Sequence, residues 1–486
     1  MTCLPSPASP PRPLARVLPL LLLSVLLSST AAAADRPNLL FVLSDDQRND
    51  FLGSAGHPFL QTPHLDALAE RGTRFENAFV TTSICAASRA TILTGLYETG
   101  HGFTFGTPPL EADELAASYP ALLRQAGYRT GFFGKFGVAI ADQVQGRGLN
   151  GSGPWQDRMF DEFAAINRNP YFKTQPDGTL RHTSDLIGDR GVAFIESAAG
   201  GDGKRQPWCL SISFNAGHAE DWDRTRHYPY PFAEAGLYEN ADIPEPLVSR
   251  DFWERLPAFF HRSMHRERYA WRWDTPEKYR HNYRNYCRLL TGMDRNVGRL
   301  VDAIDRTGQR GQTVVVFIGD NGYYAGSRGF AGKWSHYEES LRVPLLIAGP
   351  GTQRDAVSPA TVLNLDIAPT ILDFAGINPP ASYQGTSLRS LAAGESPDDW
   401  RTDFYIEHRM DRFDIPQYEG VRGPRFKYAR YVNELTDPDG DGVFTGEFLH
   451  DRDTDPQERR NLATDPAYRE QLDAMRQQTD AFFNAE

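Results

Sequence analysis

Two apolar segments that each end in a pair of polar residues constrain the fold of this chain most strongly. The first, NLLFVLSDD at residues 38–46, is almost continuously apolar until it reaches two aspartates. The second, TVVVFIGDNG at residues 313–322, has the same form and reaches an Asp-Asn pair near its end. A continuous apolar run of this length is typical of a strand with both faces buried, as in a parallel sheet covered by helices.

Segments with helical patterns alternate with apolar strands along the chain. Further strands are predicted at 207–218 and 342–351. The segment 62–72 has a proline near its start and a glycine at its end, and 289–308 is amphipathic, so both are typical of helices. This alternation predicts an α/β fold with a mostly parallel central sheet flanked by helices.

The composition changes near residue 385. Beyond it, short strand-like segments separated by turns lead to a helix-like segment at 465–486. We therefore predict a catalytic α/β domain at 35–385. A smaller α+β subdomain, with a small antiparallel sheet and a terminal helix, is predicted at 386–486.

The N-terminus has the pattern of an export signal. Arg12 and Arg16 precede a leucine-rich run, and small residues follow up to Ala34. This order predicts a signal peptide at 1–34, with a retained membrane anchor as the alternative. The predicted protein is periplasmic or secreted, without stable membrane insertion. Its 63 acidic and 51 basic residues give a formal charge of −12, which indicates no nucleic-acid partner.

Polar residues follow the predicted strands at the points where those strands end. Because sites in open α/β sheets lie beyond the carboxyl ends of the strands, we expect these residues to converge. The acids and the amide offer only oxygen ligands, which suit Ca²⁺ or Mg²⁺ rather than zinc, and export favours Ca²⁺. Asp45 with Asp46, or Asp320 with Asn321, would when taken alone also fit a helix cap or a turn. The residues are Asp45, Asp46, Lys135, His218, Asp320 and Asn321.

Two lysines in glycine-rich loops indicate an anion site. Lys135 lies in FFGKFG and Lys333 in FAGKWSHY, where glycine lets a ligand approach closely. Two ammonium groups can hold a tetrahedral anion between them. His218 suits a general acid near neutral pH. Taken singly, such lysines are more often solvated and such a histidine is more often structural.

The stretch TTSICAASRATILTGLY at 81–97 places Cys85 at the predicted start of a helix and Arg89 one turn later. A helix N-terminus and a guanidinium both favour an anion or a thiolate at position 85. The alternative is a buried structural cysteine. Cys209 and Cys287 are two further cysteines of the mature chain, and the sequence leaves open whether they form a disulfide.

The run C-A-A-S-R-A-T-I-L-T-G resembles the signature of the type I sulfatases of the alkaline-phosphatase-like superfamily. Further segments that resemble the family include RPNLLFVLSDDQRND, TPHLDALAERGTRFENAFV, GDNGYYAG, YEESLRVPLLIAGPG and FLHDRDTDPQERRNLA. They occur in the family's order and cover nearly all of the mature chain. Ala87 stands where the usual motif has proline, a substitution seen in bacterial forms.

The resemblance implies a mechanism for the hydrolysis of sulfate esters. In the family, a dedicated maturation enzyme oxidises the signature cysteine to formylglycine, whose hydrated geminal diol attacks the sulfur. Arg89 would then hold the diol, Lys135 and Lys333 would bind sulfate oxygens, and His218 would protonate the leaving alcohol or bind the bridging oxygen. The implied Ca²⁺ ligands are Asp45, Asp46, Cys85 as formylglycine, Asp320 and Asn321.

The chain departs from the family in its first lysine loop. In the family, the loop often contains G-K-W-H. Its histidine assists the final step, in which the sulfated diol loses its remaining proton and collapses to aldehyde and sulfate. Here Gly137 occupies the histidine position. His336 and His101 are candidates to replace it or to bind substrate, and a structural role fits both equally well. Arg422 is a third candidate for substrate binding.

The segment 219–280 is rich in aromatic residues and arginine, which suits a sulfated saccharide, although packing of a long insertion explains many of the same residues. With the predicted export, this favours a sulfatase that acts on a poly- or oligosaccharide. The alternatives are a phosphodiesterase or phosphonate hydrolase on the same fold, and a non-catalytic sugar-binding relative. The sequence does not identify the sugar, the sulfated position, endo or exo action, or the oligomeric state.

Overall fold

A computed structural model describes residues 1–2, 36–141, 153–199, 205–412, 414–436 and 444–485. Residues 3–34 of the predicted signal peptide therefore lie outside the described residues. Within the described part of the chain, no helix is both long enough and apolar enough to cross a membrane.

Fourteen strands form three sheets in the described residues. In chain order they are β1 (Asn38–Ser44), β2 (Gly72–Phe79), β3 (Arg129–Gly134), β4 (Glu162–Ala165), β5 (Phe172–Thr174), β6 (Leu180–His182), β7 (Trp208–Ser213), β8 (Thr313–Gly319), β9 (Leu345–Ala348), β10 (Ala356–Leu363), β11 (Phe404–His408), β12 (Tyr418–Arg422), β13 (Phe426–Tyr431) and β14 (Glu447–Asp451).

The central sheet has eight strands in the order β10-β2-β9-β8-β1-β7-β3-β4. All neighbouring strands run parallel except β9, which is antiparallel to both β2 and β8. This confirms the predicted α/β class with a mostly parallel sheet. The direction of β9 was not evident from its sequence, because an apolar strand buried on both faces has the same pattern in either direction.

Helices cover both faces of this sheet. The α-helices are Pro63–Arg71, Cys85–Thr94, Glu98–His101, Ala112–Ala116, Tyr119–Gln125, Pro154–Met159, Thr183–Ala199, Ala258–Arg262, Met264–Arg272, Pro276–Arg306, Glu338–Leu341, Ile367–Phe374, Arg389–Ala392 and Arg469–Phe483. The helix predicted at 289–308 begins earlier, at Pro276. Its first half is polar by composition, but it buries tyrosine rings, a pattern that a search for aliphatic residues misses.

The two faces of β1 pack into different hydrophobic cores, which explains its uninterrupted apolar sequence. Leu39 and Leu43 belong to the core beneath helix Cys85–Thr94, whereas Leu40 and Val42 belong to the core beneath helix Pro276–Arg306. Alternate residues of a strand point to opposite faces, so both sets must be apolar.

Cys209 and Cys287 are buried free thiols in these two different cores, so they do not form the disulfide that the sequence left open.

The strand order brings four carboxyl ends to one edge of the sheet. β8, β1, β7 and β3 are consecutive and parallel, with Ser44 beside Gly319 and Gly134 beside Ser213. The polar residues that follow these strands therefore start from adjacent positions. This is the physical basis for the convergence expected from the sequence.

A second sheet near the C-terminus is antiparallel, in the order β11-β12-β13-β14. Helix Arg469–Phe483 packs against it through Leu472 and Met475, which contact a small core that includes Val421 and Leu449. The predicted antiparallel sheet and terminal helix are thus confirmed. The boundary between residues 385 and 386 stays a prediction.

Candidate functional site

Four oxygen-bearing residues meet where β1 and β8 end. Asp45 and Asp46 follow β1, Asp320 and Asn321 follow β8, and none is more than 1% exposed. The backbone N–H of Asp46 donates to Oδ1 of Asp320 at 3.1 Å. Nδ2 of Asn321 donates to Oδ1 of Asp46 at 2.8 Å. The structure therefore joins the two pairs into one buried group of ligands.

This group has the chemistry of a hard-cation site. Oδ1 of Asp45 and Oδ1 of Asn321 are buried and have no hydrogen-bond partner among the described residues. Ligand atoms of Asp45, Asp320 and Cys85 lie within 4.8 Å of one another. Buried oxygens without a partner are costly unless they bind something, and carboxylate and amide oxygens are the ligands that Ca²⁺ prefers. The residues present fit a calcium ion.

Three cationic side chains surround the carboxylates. Lys135 Nζ lies 2.6 Å from Oδ2 of Asp45, and Lys333 Nζ bonds to Oδ1 of Asp46. Arg89 donates through Nε to Oδ2 of Asp320 at 2.8 Å and through Nη1 to the carbonyl oxygen of Lys135 at 2.6 Å. Each buried acid therefore has a buried cationic partner, so the charge of the group is compensated pair by pair.

The carboxylates differ in their electrostatic state. Burial disfavours the charge of Asp45, but Lys135 and Arg89 outweigh that effect and hold the pKa of Asp45 below its usual value. Burial and the neighbouring Asp45 carboxylate raise the pKa of Asp320 to about 6, because Arg89 offsets them only in part. A further cation among these acids would favour the ionised form of Asp320.

Cys85 occupies the first position of helix Cys85–Thr94, as its sequence predicted. No side chain caps this helix, so the backbone N–H groups of the first turn are not satisfied by a capping residue. Cys85 is 7% exposed, and Arg89 follows one turn later on the same buried helix. The positive end of the helix and the guanidinium thus both favour negative charge at position 85.

His218 is held with one ring nitrogen directed into the site. Its Nδ1 lies 2.7 Å from the carbonyl oxygen of Ala219, which only accepts, so Nδ1 carries the hydrogen. Nε2 lies 3.7 Å from Oδ2 of Asp46. Burial, assisted by the charges of Arg168 and Lys333, holds the pKa of His218 well below its usual value. An anion bound nearby would raise it by weakening that positive field.

The structure adds four residues that the sequence argument did not single out. Asp221, three positions after His218, accepts bonds from Arg168, Arg268 and Arg272. We call these four residues the Asp221 cluster. Arg268 and Arg272 lie in the arginine-rich segment 219–280, which was the one available signal; Arg168 lies outside it and had none.

Three predicted substrate-binding residues are not brought to this site. His336 is buried, with its ring nitrogens bonded to Tyr431 and His450. His101 is bonded to Thr91 and to the backbone of Phe103. Arg422 packs 4.6 Å from the Phe79 ring and lies 3.6 Å from Glu338. All three side chains make contacts within the protein. The proximity of His336 to Lys333 and of His101 to Cys85 in the sequence did not reveal these contacts.

Gly137, at the position where a histidine was expected, lies against Arg89. Its φ is +77°, and a Cβ built on it would lie 2.7 Å from Cδ of Arg89. Carbon atoms at ordinary contact are at least 3.4 Å apart. Any side chain at 137 would therefore displace the arginine, so the observed position of Arg89 depends on glycine at 137.

Two family models match the chain. The model described as "Sulfatase" matches residues 37–377. The model described as "N-sulphoglucosamine sulphohydrolase, C-terminal" matches residues 326–484. Together they span the central eight-stranded sheet and the antiparallel sheet near the C-terminus.

Among characterised relatives, an N-acetylglucosamine-6-O-sulfatase of Bacteroides thetaiotaomicron is 26% identical, over 88% of this chain and 82% of that protein. A solved protein in complex with its substrate D-glucosamine-2-N,6-O-disulfate superposes with a TM-score of 0.74 at 24% identity, covering 92% of this chain and 97% of that one. A phosphonate monoester hydrolase of Silicibacter pomeroyi has the same TM-score and identity, covering 91% and 94%. At this identity the solved structures establish the fold alone.

Proposed function

The chain belongs to the sulfatase family and is a sulfuric ester hydrolase, and from this premise we propose that it removes sulfate from a sulfated carbohydrate with a formylglycine nucleophile and Ca²⁺. One observation carries the proposal. Cys85 lies at an uncapped helix N-terminus, with its sulfur near the carboxylates of Asp45 and Asp320. This arrangement suits a modified residue that must contact both a cation and an anionic substrate.

We assign the cation site to the oxygen ligands that the two strand ends bring together. Bound Ca²⁺ supplies positive charge that favours binding of a sulfate oxygen and an ionised nucleophile. The ligands are Asp45, Asp46, Asp320 and Asn321, with residue 85 after its modification.

The modified residue 85 supplies a geminal-diol hydroxyl as nucleophile. Arg89 is the residue of this chain that is fixed to assist it. Its Nε and Nη1 are bound by Asp320 and by the carbonyl oxygen of Lys135, so the guanidinium is held rigidly one turn from position 85. A positive charge held in place in a buried site stabilises developing negative charge without reorganisation.

Lys135 and Lys333 bind the sulfate oxygens in this proposal. Each lysine is at most 5% exposed, and each ammonium is oriented by one carboxylate, Asp45 or Asp46. Although burial disfavours its charge, the carboxylate of Asp46 holds the pKa of Lys333 above its usual value, so it is an ammonium across the physiological range. Two such groups can bind two oxygens of one tetrahedral anion.

His218 donates the proton to the leaving alcohol. The carbonyl oxygen of Ala219 fixes its ring through Nδ1, which leaves Nε2 as the atom that reaches the reacting group. When the anionic substrate raises the pKa of His218, Nε2 can carry a proton and give it to the leaving oxygen.

The proposed substrate is a poly- or oligosaccharide in the periplasm or outside the cell, because the sequence predicts an export signal and 219–280 is rich in aromatic residues. The similarity to the N-acetylglucosamine-6-O-sulfatase supports a carbohydrate ester. A formylglycine-generating enzyme is the proposed partner for maturation.

The deciding experiment is mass analysis of the peptide across Cys85, after coexpression with a formylglycine-generating enzyme. Conversion of cysteine to formylglycine lowers the peptide mass by about 18 Da. Conversion, together with release of sulfate from sulfated sugars that the Cys85→Ala variant does not hydrolyse, supports the proposal. A thiol that persists under these conditions contradicts it and favours a non-catalytic sugar-binding protein.

A phosphonate monoester hydrolase is the second candidate, because such an enzyme shares the fold to the same TM-score. A tetrahedral phosphonate fits the same pair of lysines. The ratio of kcat/KM for p-nitrophenyl sulfate to that for p-nitrophenyl phenylphosphonate separates the two activities. A ratio well below one would assign phosphonate as the substrate.

A further inference from the structure

The Asp221 cluster is a group of three guanidinium ions held by one carboxylate. Asp221 binds Arg268 at 3.2 Å and Arg168 at 3.4 Å through Oδ2, and Arg272 through Oδ1. The side chains of Arg168, Arg268 and Asp221 are 16–21% exposed, whereas Lys135 and His218 have side chains only 6% exposed. The cluster is therefore more open to solvent than the reaction centre.

Among the described residues, Asp221 is the one carboxylate within salt-bridge distance of these three guanidinium ions. Three cations face one anion, whereas around Asp45, Asp46 and Asp320 each acid has a cationic partner. Nε of Arg268 is buried and has no hydrogen-bond partner there. Burial lowers the pKa of Arg268 despite its contact with Asp221. For Arg168 and Arg272, neighbouring negative charges outweigh burial and raise the pKa values, so Arg268 is the least compensated of the three. An unpaired buried donor with excess positive charge favours an anionic ligand.

The cluster adjoins the candidate site, because the charges of Asp45 and Cys85 act on Arg168. The carbonyl oxygen of Ala219 that accepts from His218 Nδ1 also accepts from Nε of Arg168, at 3.1 Å. The Arg268 guanidinium lies 4.9 Å from the ring centroid of Trp334, the residue after Lys333. Arg168 thus contacts the carbonyl group that holds His218, and Arg268 contacts the loop that contains Lys333.

We propose that Arg168 and Arg268 bind a second anionic group of the substrate, a sulfate or a carboxylate, on the sugar that bears the scissile ester or on its neighbour. This inference rests on the proposed function and narrows its substrate class to polyanionic saccharides. Asp221 is the positioning residue, since it fixes both guanidinium planes before substrate arrives. A planar guanidinium binds the paired oxygens of a sulfate or of a carboxylate, so either group fits the geometry.

The test compares matched substrates. N-acetylglucosamine 6-sulfate carries only the scissile ester, glucosamine 2-N,6-O-disulfate adds a sulfate, and an N-acetylglucosamine 6-sulfate–glucuronate disaccharide adds a carboxylate. We expect kcat/KM to be higher when a second anion is present, and the preferred substrate identifies its source. In Arg268→Gln and Arg168→Gln, the preference should fall by about 10- to 100-fold, the loss typical for a hydrogen bond between charged groups.

Arg226→Gln is the matched control, because Arg226 lies in the same segment but is 76% exposed and pairs with Asp223. Its preference ratio should equal that of the wild type. Inhibition of the wild-type enzyme tests the same inference without a substitution. Glucosamine 2-N-sulfate has the second anion but no scissile ester, and it should inhibit with a Ki about tenfold below that of N-acetylglucosamine.

The outcomes separate this inference from the function on which it rests. If the matured enzyme hydrolyses neither p-nitrophenyl sulfate nor a sugar sulfate, the proposed function fails. If it hydrolyses the three sugars equally well and both inhibitors bind alike, the second-anion inference fails while the function stands. If both variants lose activity on all substrates in equal proportion, the Asp221 cluster acts only through His218, and the inference is again wrong.

Discussion

Replacement of Gly137 by alanine tests whether Arg89 depends on an empty position beside it. The new Cβ would lie 2.7 Å from Cδ of Arg89, and ordinary contact begins at 3.4 Å. The arginine must therefore move by about 0.7 Å, the difference between these two distances. Its Nε–Asp320 bond of 2.8 Å would lengthen to about 3.5 Å, at the limit of a hydrogen bond.

The expected loss has two parts. Alanine at a positive φ costs about 1–2 kcal/mol of folding stability. Weakening one buried charged hydrogen bond costs about 1.5–3 kcal/mol more. Because Arg89 is a catalytic residue in the proposed mechanism, a shift approaching 1 Å should lower kcat/KM by about 100-fold. Activity should therefore fall more than stability alone explains.

Gly178→Ala is the matched control, since Gly178 has a φ of +82° and nothing within 4 Å of its prospective Cβ. Thermal melting and steady-state hydrolysis of p-nitrophenyl sulfate are measured for both variants after equal conversion of Cys85. Gly178→Ala should show only the backbone cost, with kcat/KM near the wild-type value. If kcat/KM of Gly137→Ala stays within about threefold of the control, the reasoning about Arg89 is refuted.

Three further predictions concern the cation site, His218 and a buried acid pair. Removal of Ca²⁺ with a chelator should lower the Tm of the wild type, since a ligand at about 100 times its Kd adds about 2.7 kcal/mol to the free energy of unfolding. The Tm of Asp320→Asn should not change on addition of the chelator. His218→Ala should lower kcat for a sugar sulfate by about 10²- to 10⁴-fold but lower it less for p-nitrophenyl sulfate, whose leaving group needs no proton; equal losses would exclude the general-acid role. Burial raises the pKa of Glu98 to about 7, and burial together with the charge of Glu98 raises the pKa of Glu407 well above the usual 4.5. The folded state then holds protons that the unfolded state releases, so stability should fall as pH rises from about 4.5 to 7. In thermal melts between about pH 5 and 8, Glu407→Gln should reduce the slope of stability against pH. An unchanged slope would contradict the raised pKa values.

The sequence was sufficient to predict which residues converge at the candidate site because they belong to patterns that are local. Apolar strands that end in Asp45 or Asp320 need only a few neighbours to be recognised, and parallel packing then brings their ends together. The cysteine at a helix start is equally local. For this reason the convergence of the predicted metal ligands, lysines and His218 follows the expectation from the sequence.

Residues whose environment depends on distant segments could not be placed in this way. His336 lies three positions from Lys333, yet its ring bonds to Tyr431 and His450 of the C-terminal sheet. Arg422 is likewise used in packing against Phe79. In both cases a contact across more than 90 residues decides the direction of the side chain.

The sequence by itself determined the class of fold, the strand ends and the polar residues that meet beyond them. Only the tertiary structure decided that β9 runs antiparallel, that Cys209 and Cys287 lie in different cores, and that Arg168 joins Arg268 at Asp221. The physical reason is that hydrophobic periodicity records whether a residue is buried, but not which distant segment buries it. Partners far apart in the chain are selected by packing and charge compensation in the assembled protein.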